Sequence, residues 1–302
     1  MNGGAWFISI FLLVGLVAAL AASFTRFYAR WRAYRYSLRI RVDLPVRLER
    51  VVTKRLMSLE RGGSIGGLAF TAAATAAFAS GFGVSDESSL TGLYLAGAAF
   101  AGAGVGTAVA ALTGSSSVAP DQPRVARSGA VEVRDYLAPL ERIGARIVVA
   151  AAVVALLAST VLAAPGNDGA LFAIAFFAIA GALSLVLFEV AGRRVVDASQ
   201  PAGSTAELVW DDAVRATTLR ALVTAPLALG AYCLIFGVVG IAETADSALV
   251  SVTSLAFAGI FSGVAVAAAI VSLAIKPESY FVRRLWPNLR WSDTADAAAD
   301  AV

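Results

Sequence analysis

The chain has 302 residues, of which 59% are hydrophobic and only 15% charged. A soluble domain carries about 25% charged residues, so an ordinary water-facing fold is excluded. The net charge is +3, but the cations gather at the ends of apolar runs, which is membrane-anchoring geometry and excludes nucleic acid as a partner. Histidine is absent, which removes the commonest general base and metal ligand, and the single cysteine, Cys233, allows no intramolecular disulfide.

Residues 5–24 carry no charge and are long enough to cross about 30 Å of hydrocarbon. No basic segment precedes this run and arginines follow it, so it reads as a retained helix and not as a signal peptide. Trp6 stands at one end; Phe27, Tyr28, Trp31, Tyr34 and Tyr36 follow the other, as an interfacial aromatic belt does.

Between Arg26 and Arg61 lie eleven Lys/Arg and three acids (Asp43, Glu49, Glu60). Such a loop stays in the cytoplasm and orients every later crossing. Within it Leu44, Leu48, Val51, Val52, Leu56 and Leu59 recur at helical spacing, with Arg47, Arg50, Lys54 and Arg55 between them. That is an amphipathic helix on the inner membrane surface, with Pro45 in its first turn. Its apolar stripe suits packing on the protein's own cytoplasmic face; its cations suit anionic lipid headgroups or a protein partner.

The remaining apolar runs are 64–82, 90–112, 147–164, 170–190, 221–241 and 248–275. Short outer turns (83–89, 165–169, 242–247) separate the members of each pair. A loop rich in Gly, Ser and Pro leads to a predicted helix over 131–146, with Val133, Leu137, Leu140 and Ile143 as its stripe. A further helix is predicted from Ala206, and Pro226 is expected to kink the sixth span. The aromatic and basic segment 276–291 reads as interfacial, and 292–302 as disordered.

The predicted fold is an all-α membrane protein: a seven-transmembrane-helix bundle, N-out and C-in, with three hairpins after an N-terminal helix. Its parts are the helix at 1–24, the basic amphipathic segment at 25–63, the six-helix membrane domain at 64–275 and the tail at 276–302. In that topology all 24 Lys/Arg are inside, and the outer segments hold five acids and no cation.

The hairpin entries look related: Glu60-Arg61-Gly62-Gly63, Glu141-Arg142-Ile143-Gly144 and, without the acid, Thr217-Thr218-Leu219-Arg220. Either a triplication or Ala-rich composition accounts for this. Small residues at spacing four (Gly62/Gly66, Gly63/Gly67, Gly102/Gly106, Gly259/Gly263) let helix backbones touch, within one bundle or across a homodimer.

Three acids are the candidate functional residues. Glu189 lies nearest the membrane interior and is expected to pair with Arg193, one turn on. Asp211 and Asp212 form a doublet, as in metal-dependent membrane prenyltransferases, but no second acid-rich motif accompanies it, so the doublet reads as a solvated helix N-terminus whose acids complement the dipole. Asp211 is expected to pair with Arg215. Nucleophilic catalysis lacks a base, no phosphate-cradling Gly-Lys-Ser/Thr loop occurs, and Cys233 reads as a small buried apolar residue. The expectation is a non-enzyme without cofactor or metal.

The stretches Val133-Arg134-Asp135-Tyr136-Leu137 and Asp211-Asp212-Ala213-Val214-Arg215-Ala216-Thr217-Thr218-Leu219-Arg220, each just before a span, resemble uncharacterised Ala/Arg-rich multi-pass membrane proteins of high-GC bacteria. That resemblance implies a multi-pass protein of the bacterial cytoplasmic membrane and no activity. The leading expectation is a scaffold or accessory subunit acting through its cytoplasmic loops on a membrane or cytoplasmic protein. The alternative is a transporter or channel for a small or lipophilic solute, its path lined by Thr71, Thr75, Thr107, Thr224, Ser254 and Ser262.

Overall fold

The computed structural model describes residues 3–80, 91–113, 130–162, 168–198, 202, 204–244 and 279–287. These form α1 (Gly3–Ala22), α2 (Arg26–Ile40), α3 (Val46–Ala79), α4 (Thr91–Thr113), α5 (Val133–Tyr136), α6 (Pro139–Leu162), α7 (Asp168–Asp197), α8 (Thr205–Thr244) and α9 (Tyr280–Leu285). No β-strand occurs among the described residues. Five helices are long and apolar enough to cross a membrane, or six if the bent α1–α2 pair counts as one span. The protein is thus a multi-pass membrane protein, all-helical over the described residues. The expected seventh span, 248–275, and the tail 292–302 lie outside the described residues.

Three helices overrun a bilayer. At about 1.5 Å per residue, the 34 residues of α3, 30 of α7 and 40 of α8 reach roughly 45–60 Å, against about 30 Å of hydrocarbon. The surplus carries the charged ends and makes a second, polar layer. The amphipathic segment expected on the membrane surface is therefore the first half of α3, continuous with the second span. Its Leu48, Val52, Leu56 and Leu59 are buried against the protein, and only Val51 of the stripe is exposed. No residue between Glu60 and Ser64 breaks the helix, because paired glycines are tolerated where a neighbouring backbone fills their space.

α1 and α2 meet at 89°. Thr25 caps α2 by accepting from the Tyr28 backbone N–H. α2 ends at Arg41, in the left-handed region (φ 57°), and Pro45 precedes α3.

The predicted helix over 131–146 is broken. Pro139 disfavours helical backbone at Ala138 and has no N–H to continue the helix, and Leu137, the C-cap of the preceding turn, is extended. α5 is a single turn held by a Glu132/Asp135 capping box, and α6 starts afresh at Pro139. The expected stripe breaks with it: Leu137 is fully buried, while Leu140 and Ile143 are exposed. By contrast α8 runs through Pro226 as one helix.

Two apolar cores stack along the bundle. In the spans, Phe177 stacks on Phe236 and Tyr232, and Phe78, Tyr94, Leu95, Leu229 and Cys233 belong to the same cluster. Cys233 is wholly buried, its Sγ facing the Ala152 and Ile174 carbonyls at 3.6 and 3.5 Å, so it fills the α6–α7–α8 junction. In the polar layer a second core gathers Trp210, Tyr136, Leu137, Phe188, Leu219 and Phe281 with the inward faces of α2 and α3.

α3 and α4 make the closest helix pair. A Cβ on Gly62 or Gly66 would strike the Gly106 or Gly102 carbonyl, and the reverse holds for the partner glycines. These spacing-four pairs therefore serve packing within one chain. Gly259/Gly263 lies outside the described residues.

Candidate functional site: the polar crown

The first half of α8 is the axis of the polar layer. It is helical because Ala, Leu and Val alternate with charged residues at helical spacing, and Ser204 opens it by accepting from the Glu207 backbone N–H (3.3 Å). Trp210, Asp212, Ala213 and Ala216 are at most 1% exposed, so this segment is surrounded on all sides.

Asp211 and Asp212 point to different neighbours. Asp211 accepts from Arg215 Nε (3.0 Å), the expected i,i+4 pair, and also from Arg55 of α3, a contact across 156 residues. Arg215 then donates to the Val196 and Ala198 carbonyls at 2.8 and 2.6 Å, satisfying the C-terminal end of α7 with a positive charge. One guanidinium thus joins α7 to α8, and Asp211 joins both to α3. Asp212 is fully buried and accepts from Tyr136 Oη (2.8 Å) and Trp286 Nε1 (2.9 Å), tying α5 and the segment after α9 to α8.

Around this centre other pairs close the ring. Trp210 Nε1 donates to the Asp43 carbonyl (2.9 Å) and Tyr36 Oη to the Ala213 carbonyl (2.8 Å), which fixes the α2–α3 connection against α8. Glu141 accepts from the Ala138 backbone N–H (3.0 Å), capping α6, and from Arg220 Nε (3.1 Å) on α8. Arg284 of α9 meets Asp135 at 3.4 Å.

Glu189 does not pair with Arg193. It accepts from Arg146 Nη2 and Nε at 2.5 and 3.0 Å. α6 and α7 run side by side, so the start of one presents Arg146 to the end of the other, and that contact outcompetes the turn-to-turn partner. The three candidate acids therefore have separate cationic or hydrogen-bonding neighbours. Among the described residues no three His, Cys, Asp or Glu side chains gather as a metal site.

The four predicted surface cations divide. Arg55 is drawn inward to Asp211, and Arg47 donates to Ser204 Oγ (3.1 Å). Arg50 and Lys54 are exposed and line a groove of about 630 Å³ between the α1–α2 bend and α3. Between α2 and α3, Glu60 also accepts from the Tyr28 hydroxyl. Burial, and then this hydrogen bond, raise the Tyr28 phenol above its ordinary 10.0.

Tyr136 and Trp286 are the site residues that sequence reasoning passed over. Tyr136 sits in one of the two stretches singled out for their resemblance to other membrane proteins, but nothing linear links it to Asp212, 76 residues away. No family model, no curated protein and no solved structure matches the chain.

Proposed function

We propose that the chain is a scaffold or accessory subunit of the cytoplasmic membrane, N-terminus outside and C-terminus inside, without catalytic machinery, working through its cytoplasmic face. The observation that carries this reading is the interlocked crown. Seven helices (α2, α3 and α5–α9) send polar side chains or backbone groups to one layer, where each links a neighbour to α8 or to the element beside it. A layer tied in this way presents a preorganised surface, which lowers the entropy cost of binding a partner.

The in-span hydroxyls support the same reading over a transporter or channel. Thr71, Thr75 and Thr224 donate to the carbonyls of Gly67, Thr71 and Arg220, each four residues back on their own helix. The space between α4, α7 and α8 holds stacked aromatic rings. Ser254 and Ser262 lie outside the described residues.

The test is affinity purification of the intact chain in mild detergent, beside a form whose inner loops 114–129 and 199–203 are replaced by Gly/Ser linkers of equal length. A stoichiometric protein that accompanies the first and is lost from the second is the expected result. Recovery of the chain alone from both, with cell growth unaffected by the replacement, overturns the proposal.

A further inference from the structure

The groove beside the α1–α2 bend is built for an anion. It begins at Ser23, Phe24 and Thr25, where α1 leaves its apolar run, and climbs the face of α3 that carries Arg61, Lys54 and Arg50. Five cations line it (Arg26, Arg30, Arg50, Lys54, Arg61) against one acid, Glu49. Glu49 is taken by Arg30 Nε at 2.6 Å. Arg61 is taken by the Ser23 carbonyl at 2.8 Å and covers the Phe24 ring at 4.1 Å. Arg26, Arg50 and Lys54 make no ion pair or hydrogen bond to any described residue, and all three are exposed. Thr53 Oγ1, in the same wall, is buried with no hydrogen-bond partner among the described residues. Three unopposed cations around one cleft are what a phosphate group needs.

The groove also stands at the depth of lipid headgroups. Arg61 lies one residue before the glycine-rich start of the apolar half of α3, and the Ser23–Thr25 bend follows the last turn of α1. α2 leaves the bend at 89° and exposes Phe27, Trp31, Tyr34 and Leu38, spaced four, three and four residues apart. An aromatic stripe flanked by arginines on a helix perpendicular to a span is the pattern of an interfacial helix. Phe24 and Met57 add an apolar wall to the same groove. Its volume, about 630 Å³, falls within the roughly 300–1,000 Å³ of ligand sites.

We infer that this groove seats the headgroup phosphate of an anionic phospholipid of the cytoplasmic leaflet, with Arg50 and Lys54 on one side and Arg26 on the other. The inference rests on the orientation proposed above and is independent of any protein partner. Neighbouring zwitterionic lipids carry a phosphate too, but their choline or ethanolamine would meet the same cations. Selectivity for a headgroup with net negative charge follows.

The full chain, purified in neutral detergent, is titrated with phosphatidylglycerol or phosphatidylcholine, and retained lipid is counted by native mass spectrometry. The variants are R50Q/K54Q, R26Q on the opposite side of the groove, and R193Q/R194Q, which removes two exposed charges at the end of α7. Phosphatidylglycerol retained by the parent and by R193Q/R194Q, but weakened roughly thirty-fold in R50Q/K54Q and less so in R26Q, is the expected pattern. Equal retention of both lipids by the parent, or undiminished retention in R50Q/K54Q and R26Q, overturns it. So does equal loss in R193Q/R194Q, which would mark a general charge effect. Inorganic phosphate that binds the lipid-free chain with the same dependence on Arg50 and Lys54, and as tightly as the lipid, also overturns it in favour of a soluble anion. Protein-partner capture is read separately, so either proposal can fail alone.

Discussion

Asp212 shows how much a single carboxylate can hold in place. It is 0% exposed, and two donors from elements far away in sequence end on it. Replacing it with alanine removes the acceptor of the Tyr136 hydroxyl and the Trp286 indole N–H, and losing a hydrogen bond to a charged group costs about 1.5–3 kcal/mol. Asp212→Ala is therefore expected to lower stability by roughly 3 kcal/mol. Asp212→Asn, which keeps the shape and one acceptor oxygen, is expected to lose about half of that. Thermal unfolding in detergent, followed by tryptophan fluorescence, checks the order. If the alanine variant unfolds with the parent, the Tyr136–Asp212–Trp286 link is not holding the crown together. Glu189, although nearer the spans, is one-third exposed and paired with an exposed Arg146, so its removal is expected to cost less than about 1 kcal/mol by the same measurement.

At the level of elements, the α3–α4 contact depends on the absence of side chains. Lipid tails supply no hydrophobic drive between helices, so close backbone approach and its dispersion energy carry the association. Gly66→Ala puts a methyl against the Gly102 backbone and is expected to destabilise by about 1–3 kcal/mol through forced separation. Gly15→Ala is the matched control, since nothing lies within 4 Å of its added carbon; helix propensity makes it neutral or stabilising by up to about 1 kcal/mol. Opposite signs in the two melting shifts are expected, and a Gly66→Ala chain as stable as Gly15→Ala would sink the packing account. The glycine spacing was visible in the sequence; that these glycines face each other across α3 and α4 was not. The break at Leu137 was missed, because the apolar stripe imitated a continuous helix, although Pro139 was the signal against one.

For the whole molecule, charge segregation is the argument for the proposed topology. The structure brings the basic half of α3, the start of α6, the end of α7 and the start of α8 to one end through Arg55–Asp211, Arg215–Ala198, Arg220–Glu141 and Arg146–Glu189. Moving that end across a bilayer would carry the ten guanidinium groups of these segments with it, against the positive-inside bias. Cysteine labelling tests the orientation directly, because the one native thiol, Cys233, is buried at 0% exposure and is expected to stay unlabelled in the folded protein. Asp86→Cys is expected to react with a membrane-impermeant maleimide in intact cells. Arg50→Cys and Arg193→Cys are expected to react only after permeabilisation. The reverse pattern would invert every loop assignment.

Helicity, membrane residence and the gathering of cations on one side were determined by the sequence alone. Span length and net loop charge are sums along the chain, and they survive ignorance of how any helix is rotated. The i,i+4 pair of Asp211 with Arg215 was equally legible, because its geometry is fixed within one helix. Only the tertiary structure decided that Glu189 takes Arg146, that Arg55 turns inward while Arg50 and Lys54 stay on the groove, and that Asp212 meets Tyr136 and Trp286. Those choices depend on the rotation and axial offset of neighbouring helices. Hydropathy does not record these quantities; side-chain packing across the interfaces sets them.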